Sequence, residues 1–219
     1  MIAYFMDFEL ETGNSTFFPR PETELLVNKA LGLLSKRRNT YSRPCILDIG
    51  TGCGNISISL TKYLPLSRIV ALDILPTALR IAKDNACKYG VADRIEFISS
   101  DLFRDIEDIY EGHFDMVISN PPYVSLEDFL HLPQRVKDDP FIALYGGKDG
   151  LDFYREIIRE AYRFLRKEGY LLLEIGYDQS MCLKNLLRDN DVYGEIEVYK
   201  DYAGIDRIIK AKSSYKRPR

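Results

Sequence analysis

Histidine and cysteine are scarce in this chain. The 219 residues hold two histidines, His113 and His131, and four cysteines, Cys45, Cys53, Cys87 and Cys182, none of them in a C-x-x-C pair. A zinc site or a disulfide framework therefore has little to build on. No apolar run approaches the length of a membrane span. The first ten residues carry Asp7 and Glu9 and no basic n-region, so they are expected to form a strand and not a targeting segment. Scattered thiols without such a leader point to a reducing, cytoplasmic setting. A global basic field is missing too: the net charge is −3, which argues against direct nucleic-acid binding. The G-x-x-x-x-G-K-[ST] pattern is absent, which argues against a P-loop nucleotidase.

What remains is an ordinary globular composition, 46% hydrophobic and 29% charged, long enough to bury a core without staples. Residues 2–11 alternate as a strand would. Gly13-Asn14 suggests a turn and Thr16-Phe17-Phe18 a returning strand, together an N-terminal hairpin. Pro19-Arg20-Pro21 breaks the chain before a helix over 22–36. Short apolar runs at 45–50, 69–74, 95–99, 114–119 and 170–175 then alternate with helical stretches at 56–64, 76–89, 151–166 and 179–188. Continuous apolar strands separated by helices predict a parallel sheet covered on both faces. The link 200–206, between strands expected at 196–199 and 207–211, is too short for a parallel crossover, so the last strand should run antiparallel. The domain reading is a hairpin and linker over 1–20, a main domain over 21–212 and a basic, frayed tail over 213–219.

Three strand ends carry chemistry. Asp48-Ile49-Gly50-Thr51-Gly52-Cys53-Gly54 places glycines between a strand and a helix, where backbone N–H groups can approach a ligand closely. Its G-x-G-x-G spacing differs from the dinucleotide fingerprint. Asp73 closes the next strand, where a carboxylate can accept the two hydroxyls of a ribose; the competing role is a helix cap. Ser100-Asp101-Leu102 ends the strand after that. There Asp101 can accept an adenine amino group while Leu102 packs on the ring, or Asp101 is a solvated loop acid.

The fourth strand ends in Asn120-Pro121-Pro122-Tyr123. Two prolines make a stiff loop with no N–H at either position, leaving the Pro121 carbonyl as an acceptor. The Asn120 side chain supplies a second acceptor, and Tyr123 a flat ring to cover a planar group. Two acceptors and a ring suit a planar –NH2, whose delocalised lone pair must be aimed at an electrophile. The competing role is a plain Asn-Pro turn. Residues 124–145 are either a flexible cover for the site or an ordinary surface loop.

These segments resemble the release-factor glutamine methyltransferases, the HemK family, over nearly the whole chain. The likeness rests on Pro19-Arg20-Pro21-Glu22-Thr23-Glu24, the glycine loop, Asn120-Pro121-Pro122-Tyr123, 146–154 (Gly-Gly-Lys-Asp-Gly-Leu-Asp-Phe-Tyr), Leu173-Glu174-Ile175-Gly176 and 201–207. The resemblance implies a Rossmann-like α/β class I methyltransferase with a seven-stranded, mostly parallel sheet and S-adenosylmethionine as methyl donor. It implies donor contacts at Gly50, Thr51, Gly52, Cys53, Gly54, Asp73, Leu102 and Asn120, beside Asp101. It implies a glutamine amide held by Asn120, Pro121, Pro122 and Tyr123, with Phe17 lining that pocket, and a peptide chain release factor bearing a Gly-Gly-Gln motif as substrate. Members usually carry a helical domain before the hairpin that helps dock the release factor. The chain is therefore expected to be a short member, a fragment, or an enzyme with another target, with a partner in that domain's place. An adenine-N6 methyltransferase acting on RNA or DNA shares Asn-Pro-Pro-Tyr and is the alternative. A non-catalytic, donor-binding subunit is a third reading.

Overall fold

A computed structural model of the chain describes residues 1–36 and 43–215. Strands β1 (Ile2–Phe5) and β2 (Phe8–Glu11) form a separate antiparallel hairpin. Helix α1 (Pro21–Lys36) leads to β3 (Cys45–Ile49), α2 (Asn55–Tyr63), β4 (Arg68–Asp73), α3 (Pro76–Lys88), β5 (Ile95–Ser99) and β6 (Phe114–Ser119). Three short helices follow, α4 (Leu126–His131), α5 (Gln134–Lys137) and α6 (Phe141–Leu144). The chain then forms α7 (Asp152–Phe164), β7 (Leu165–Glu174), α8 (Ser180–Arg188), β8 (Tyr193–Lys200) and β9 (Asp206–Ser213). The main sheet has the order β5-β4-β3-β6-β7-β9-β8. Neighbours from β5 through β7 pair in parallel, and β9 runs antiparallel to both β7 and β8. This is the expected seven-stranded α/β sheet.

Alternation along the central strands explains why both faces are covered. Leu47, Ile49, Val117, Leu171 and Leu173 point into one core with Tyr154, Ile157, Ile158, Ala161 and Phe164 of α7. Their neighbours Ile46, Met116, Ile118 and Leu172 point into the other, with Leu26, Val27 and Ala30 of α1 and with Phe5, Phe8 and Leu10 of the hairpin. The α7 residues recur at helical spacing, so one stripe is apolar and the rest carries the ion pairs of Arg155, Arg159 and Arg163.

Several expectations needed correction. The hairpin turns at Met6-Asp7, with Phe5 opposite Phe8 and Met6 in the left-handed region, and not at Gly13-Asn14. Met-Asp lacks the glycine that marks two-residue hairpin loops, so the reversal looked like one continuous strand. Thr16-Phe17-Phe18 is not a strand; the Thr16 hydroxyl and N–H close a local turn on Gly13. Helix α7 stops at Phe164 and not at Arg166, because Leu165 already pairs with Phe114 and Arg166 reaches Asp115 at 3.0 Å. Strand β8 begins at Tyr193, three residues earlier than expected; a bulge with Glu195 at positive φ hides the alternation. Strand β9 extends through Ser213. Residues 216–219 of the expected basic tail lie outside the described residues.

Asn85 on α3 ties three parts together. Its Oδ1 accepts the Glu11 N–H at 2.9 Å, and its Nδ2 donates to the carbonyls of Glu11 and Cys53, both at 2.9 Å. It is 1% exposed, so loss of the amide leaves buried backbone groups without partners. Asn85→Ala is expected to lower the unfolding free energy by about 2–3 kcal/mol in urea denaturation, and an unchanged midpoint would contradict this role.

Candidate active site

The parallel strands reverse order between β3 and β6, and a cavity of about 620 Å³ opens at that switch point. Gly50, Gly52, Asp73, Asp101 and Leu102 line one part of it; Asn120, Pro121, Pro122, Tyr123 and Phe17 line the other. The fold thus brings together residues from four strand ends and from the linker after the hairpin.

Asp48, at the end of β3, is fully buried and braces the glycine loop. Its Oδ2 accepts the hydroxyls of Thr51 at 2.8 Å and Ser57 at 2.6 Å. Its Oδ1 has no hydrogen-bond partner among the described residues. Burial pushes this carboxyl up to about 6, against the two hydroxyl hydrogen bonds and with a further rise from the Asp73 charge. The N–H groups of Gly50 and Thr51 both donate to the Leu72 carbonyl, which fastens the loop to β4. Gly50 and Gly52 have φ of +72° and +56°, and a Cβ added to either would meet no protein atom within 4 Å. That open space leaves room for a ligand to approach the backbone closely.

Thr51, Cys53 and Gly54 were expected to contact the donor, yet none of them lines the cavity. Thr51 is turned onto Asp48, Cys53 is 1% exposed with its thiol pushed up to about 12 by burial, and Gly54 packs against Ala82 and Ile58. They shape the loop from behind.

Asp73 is not the side-chain cap of α3. Its Oδ2 accepts the Gly52 N–H at 2.9 Å and its Oδ1 the Leu75 N–H at 3.0 Å. Each oxygen retains further acceptor capacity, and Asp73 lines the cavity. Burial raises its carboxyl, opposed by the N–H groups of Leu75 and Gly52. Asp101 pairs with Arg104 at 2.6 Å. Leu102, at φ 53°, is turned into the cavity while its carbonyl accepts the Ser100 hydroxyl at 2.7 Å.

The Asn120–Tyr123 loop is backed on several sides. The Ser119 hydroxyl donates to the Ile49 carbonyl at 2.7 Å. Asn120 Nδ2 donates to the Thr23 hydroxyl at 3.1 Å. The Gln179 amide donates to the Tyr123 carbonyl at 3.0 Å and the Gly150 carbonyl at 3.2 Å, while its oxygen accepts the Gly176 N–H at 2.9 Å. Gly146 and Gly150 press against the same loop: a Cβ on Gly146 would lie 2.7 Å from the Pro122 carbonyl oxygen, and one on Gly150 2.3 Å from that of Tyr123. This contact explains why the Gly-Gly-Lys-Asp-Gly segment accompanies Asn-Pro-Pro-Tyr. Burial raises the Tyr123 phenol above its usual range, so it stays neutral.

Residues 124–145 fold over the opening as α4–α6. Val124, Leu132, Val136, Ile142 and Leu144 face the cavity. The cover is fastened to the linker by Asp139, which accepts the Phe18 N–H at 2.9 Å and pairs with Arg20. Arg20 in turn lies 5.0 Å from the centre of the Phe17 ring.

Glu174 and Arg207 also line the cavity and had no role assigned from the sequence. Glu174 is 2% exposed, and its Oε2 accepts the Thr23 hydroxyl at 2.7 Å. Burial pushes its carboxyl up to about 7, with Glu22 adding to the rise and Thr23, Arg207 and Asn120 opposing it. A single acid inside the apolar run Leu171–Ile175 was the available signal. Arg207 pairs with Asp201 at 2.9 Å across the β8–β9 turn.

Residues 43–213 match the model of a methyltransferase domain. The chain is 38% identical over 207 residues to the release factor glutamine methyltransferase of Moorella thermoacetica, covering 94% of this chain and 71% of that protein. It is 38% identical to the one of Clostridium acetobutylicum, covering 94% and 70%. The chain belongs to the release factor glutamine methyltransferase family. Among solved structures, the catalytic domain of hMettl16 in complex with MAT2A 3′UTR hairpin 6 superposes with a TM-score of 0.71 at 18% identity, covering 94% of this chain and 76% of that one. A methyltransferase from Pyrococcus furiosus gives 0.67 at 17% identity, covering 94% and 89%. These two likenesses concern the fold.

Membership in this family makes the chain a methyltransferase with S-adenosylmethionine as donor. The cavity suits that group: the Cβ-free floor at Gly50 and Gly52 and the two acceptor oxygens of Asp73 match a nucleoside with a ribose diol. Asp73→Ala is expected to weaken S-adenosylmethionine binding by about 3 kcal/mol, roughly 100-fold, in calorimetry; unchanged affinity would remove Asp73 from the donor site.

The buried Glu174 also predicts a pH dependence. Its folded-state value of about 7 exceeds the ordinary 4.5, so the folded protein holds this proton more tightly than the unfolded chain. Its contribution to stability is complete below the ordinary value and is lost as pH rises through about 7. Relative to Glu174→Gln, wild type should lose up to about 3 kcal/mol of unfolding free energy between about pH 5 and about pH 8. Parallel pH curves for the two proteins would contradict the raised value.

Proposed function

We propose that this chain transfers a methyl group from S-adenosylmethionine to the side-chain amide nitrogen of a glutamine, the one in the Gly-Gly-Gln motif of a peptide chain release factor. The observation that carries this reading is the meeting of Asn120 and Pro121 with the Asp73 and Gly50–Gly52 crevice in one cavity. The names of the relatives, release factor glutamine methyltransferases, support the same substrate. A ribosomal substrate of this kind would place the enzyme in the cytoplasm. Among the described residues no helix is long and apolar enough to cross a membrane.

When bound, the donor supplies an electrophilic methyl group on a sulfonium. This chain's residues do the rest. Asn120 Oδ1 and the Pro121 carbonyl accept the two amide hydrogens, which orients the nitrogen and draws electron density onto it. Tyr123 and Pro122 hold the plane of the amide, and Phe17 closes the side of the pocket. The apolar faces of α4–α6 keep water out, which strengthens these hydrogen bonds. An amide nitrogen becomes acidic only once it has gained the methyl group, so no strong base is required beforehand. Positioning supplies most of the acceleration. Gly50, Gly52, Asp73, Asp101 and Leu102 hold the donor in this reading, and Thr51, Cys53 and Gly54 hold the loop. Adenine is not favoured as the acceptor, since the net charge is −3 and the curated relatives named here are protein-glutamine enzymes.

Labelled methyl from S-adenosylmethionine should appear on purified release factor and vanish when the Gly-Gly-Gln glutamine is changed to alanine. In Asn120→Ala the rate should fall by about 100- to 1,000-fold. Label on nucleic acid instead, or an unimpaired Asn120→Ala variant, would refute the assignment.

A further inference from the structure

An asparagine at a cavity wall has two ends of nearly equal shape and opposite hydrogen-bonding character. The proposed mechanism needs the oxygen of Asn120 outward, because a nitrogen there would set donors against the donors of the substrate –NH2. Nothing in the Asn-Pro-Pro-Tyr loop itself decides between the two ends. The groups behind it do. The Thr23 hydroxyl has a single proton, and it lies 2.7 Å from Oε2 of Glu174, which when ionised can only accept. That proton is therefore committed to Glu174, and Thr23 Oγ1 can only accept from Asn120. The contact it makes is with Asn120 Nδ2, at 3.1 Å, and the Asn120 amide also hydrogen-bonds Glu174 directly. Thr23 is 1% exposed and Glu174 2%, so bulk water does not compete for either.

We propose that Glu174, acting directly and through the Thr23 hydroxyl, turns the nitrogen of Asn120 inward and its oxygen toward the cavity, making Glu174 and Thr23 a positioning pair for methyl transfer. This rests on the reading of Asn120 as an acceptor of the substrate amide. It gives the threonine of Pro-Glu-Thr-Glu a purpose beyond the first turn of α1, and explains an acid buried at the end of β7. The direction of the relay depends on the charge of Glu174. With a proton on Glu174 the carboxylic acid donates to Thr23, the hydroxyl donates to Asn120 Oδ1, and the amide presents nitrogen to the cavity. The groups facing Glu174 are Glu22 from α1, Arg207 from β9, Tyr123 from the loop and Tyr154 from α7. Burial raises both phenols, and they stay neutral through the working range. Glu174 itself, held up near 7 by burial, is the group that changes state.

The test compares wild type with Thr23→Val, which keeps the shape and removes the hydroxyl, and Thr23→Ser, which restores it. Thr23→Val should lose about tenfold or more in kcat, with S-adenosylmethionine affinity near wild type. Thr23→Ser should recover most of the rate. The kcat of wild type should fall on acidification through about 7, and that limb should flatten in Thr23→Val. Independently of turnover, the Asn120 side-chain NH2 signals of 15N-labelled protein should exchange slowly in wild type and Thr23→Ser and rapidly in Thr23→Val. Equal kcat in wild type and Thr23→Val, or equally protected Asn120 signals in both, would overturn the proposal. A wild-type protein that labels no glutamine would refute the function reading, and the amide signals would still decide the relay.

Discussion

Parallel pairing of β3 between β4 and β6 is the constraint from which the site follows. Ile49 stands opposite Leu72 on one side and Ser119 on the other, and Asp73 stands opposite Ser99. The strands therefore end at one level, and Gly50, Asp73, Ser100 and Asn120 emerge together. The Ser119 hydroxyl on the Ile49 carbonyl, and the N–H groups of Gly50 and Thr51 on the Leu72 carbonyl, pin that level with side-chain and loop hydrogen bonds as well. A slip of one residue would exchange the two cores, since Leu47 and Ile46 face opposite sides. The apolar alternation thus protects the alignment of the polar ends.

Behind this edge, the polar residues form two buried centres with different work. Asp48 gathers Thr51 and Ser57 and stiffens the glycine loop. Glu174 gathers Thr23 and Asn120. Both carboxyls are held above their ordinary values by burial, which is the cost of ordering a loop from the inside. The Asn-Pro-Pro-Tyr loop is then enclosed by parts distant in sequence: α1 through Thr23, the Gly146–Gly150 segment by backbone contact, and Gln179 by hydrogen bonds to Tyr123 and Gly150. The cover α4–α6 is joined to the post-hairpin linker at Asp139.

The order of elements could be read from the chain because the strands are buried on both faces and the helices carry single apolar stripes. Cys45–Ile49, Ile95–Ser99 and Phe114–Ser119 stand out as short runs between polar breaks, and β5 and β6 have the bounds their runs suggested. Places that failed share a cause: local geometry that leaves no mark on composition. The Met6-Asp7 reversal uses neither glycine nor asparagine, the Glu195 bulge breaks the period of β8, and the change from α7 to β7 occurs without a breaking residue. For the site, Gly50, Gly52, Asp73, Asp101, Leu102, Asn120 and its three followers, and Phe17 were named from motifs and line the cavity. Thr51, Cys53 and Gly54 belong to the same motif but face inward, since a tight loop cannot turn every residue toward one ligand.

By itself the sequence determined the class of fold and the strand ends that line the cavity. Periodicity and motif spacing are local properties, and each of these follows from local order. Only the tertiary structure decided that the Thr23 hydroxyl donates to Glu174, 151 positions away, next to Asn120. It alone showed that Gly146 and Gly150 exist to let the backbone of one segment touch that of another. Such contacts join residues from opposite ends of the chain, and their direction depends on burial and donor geometry that appear only when the sheet has closed around them.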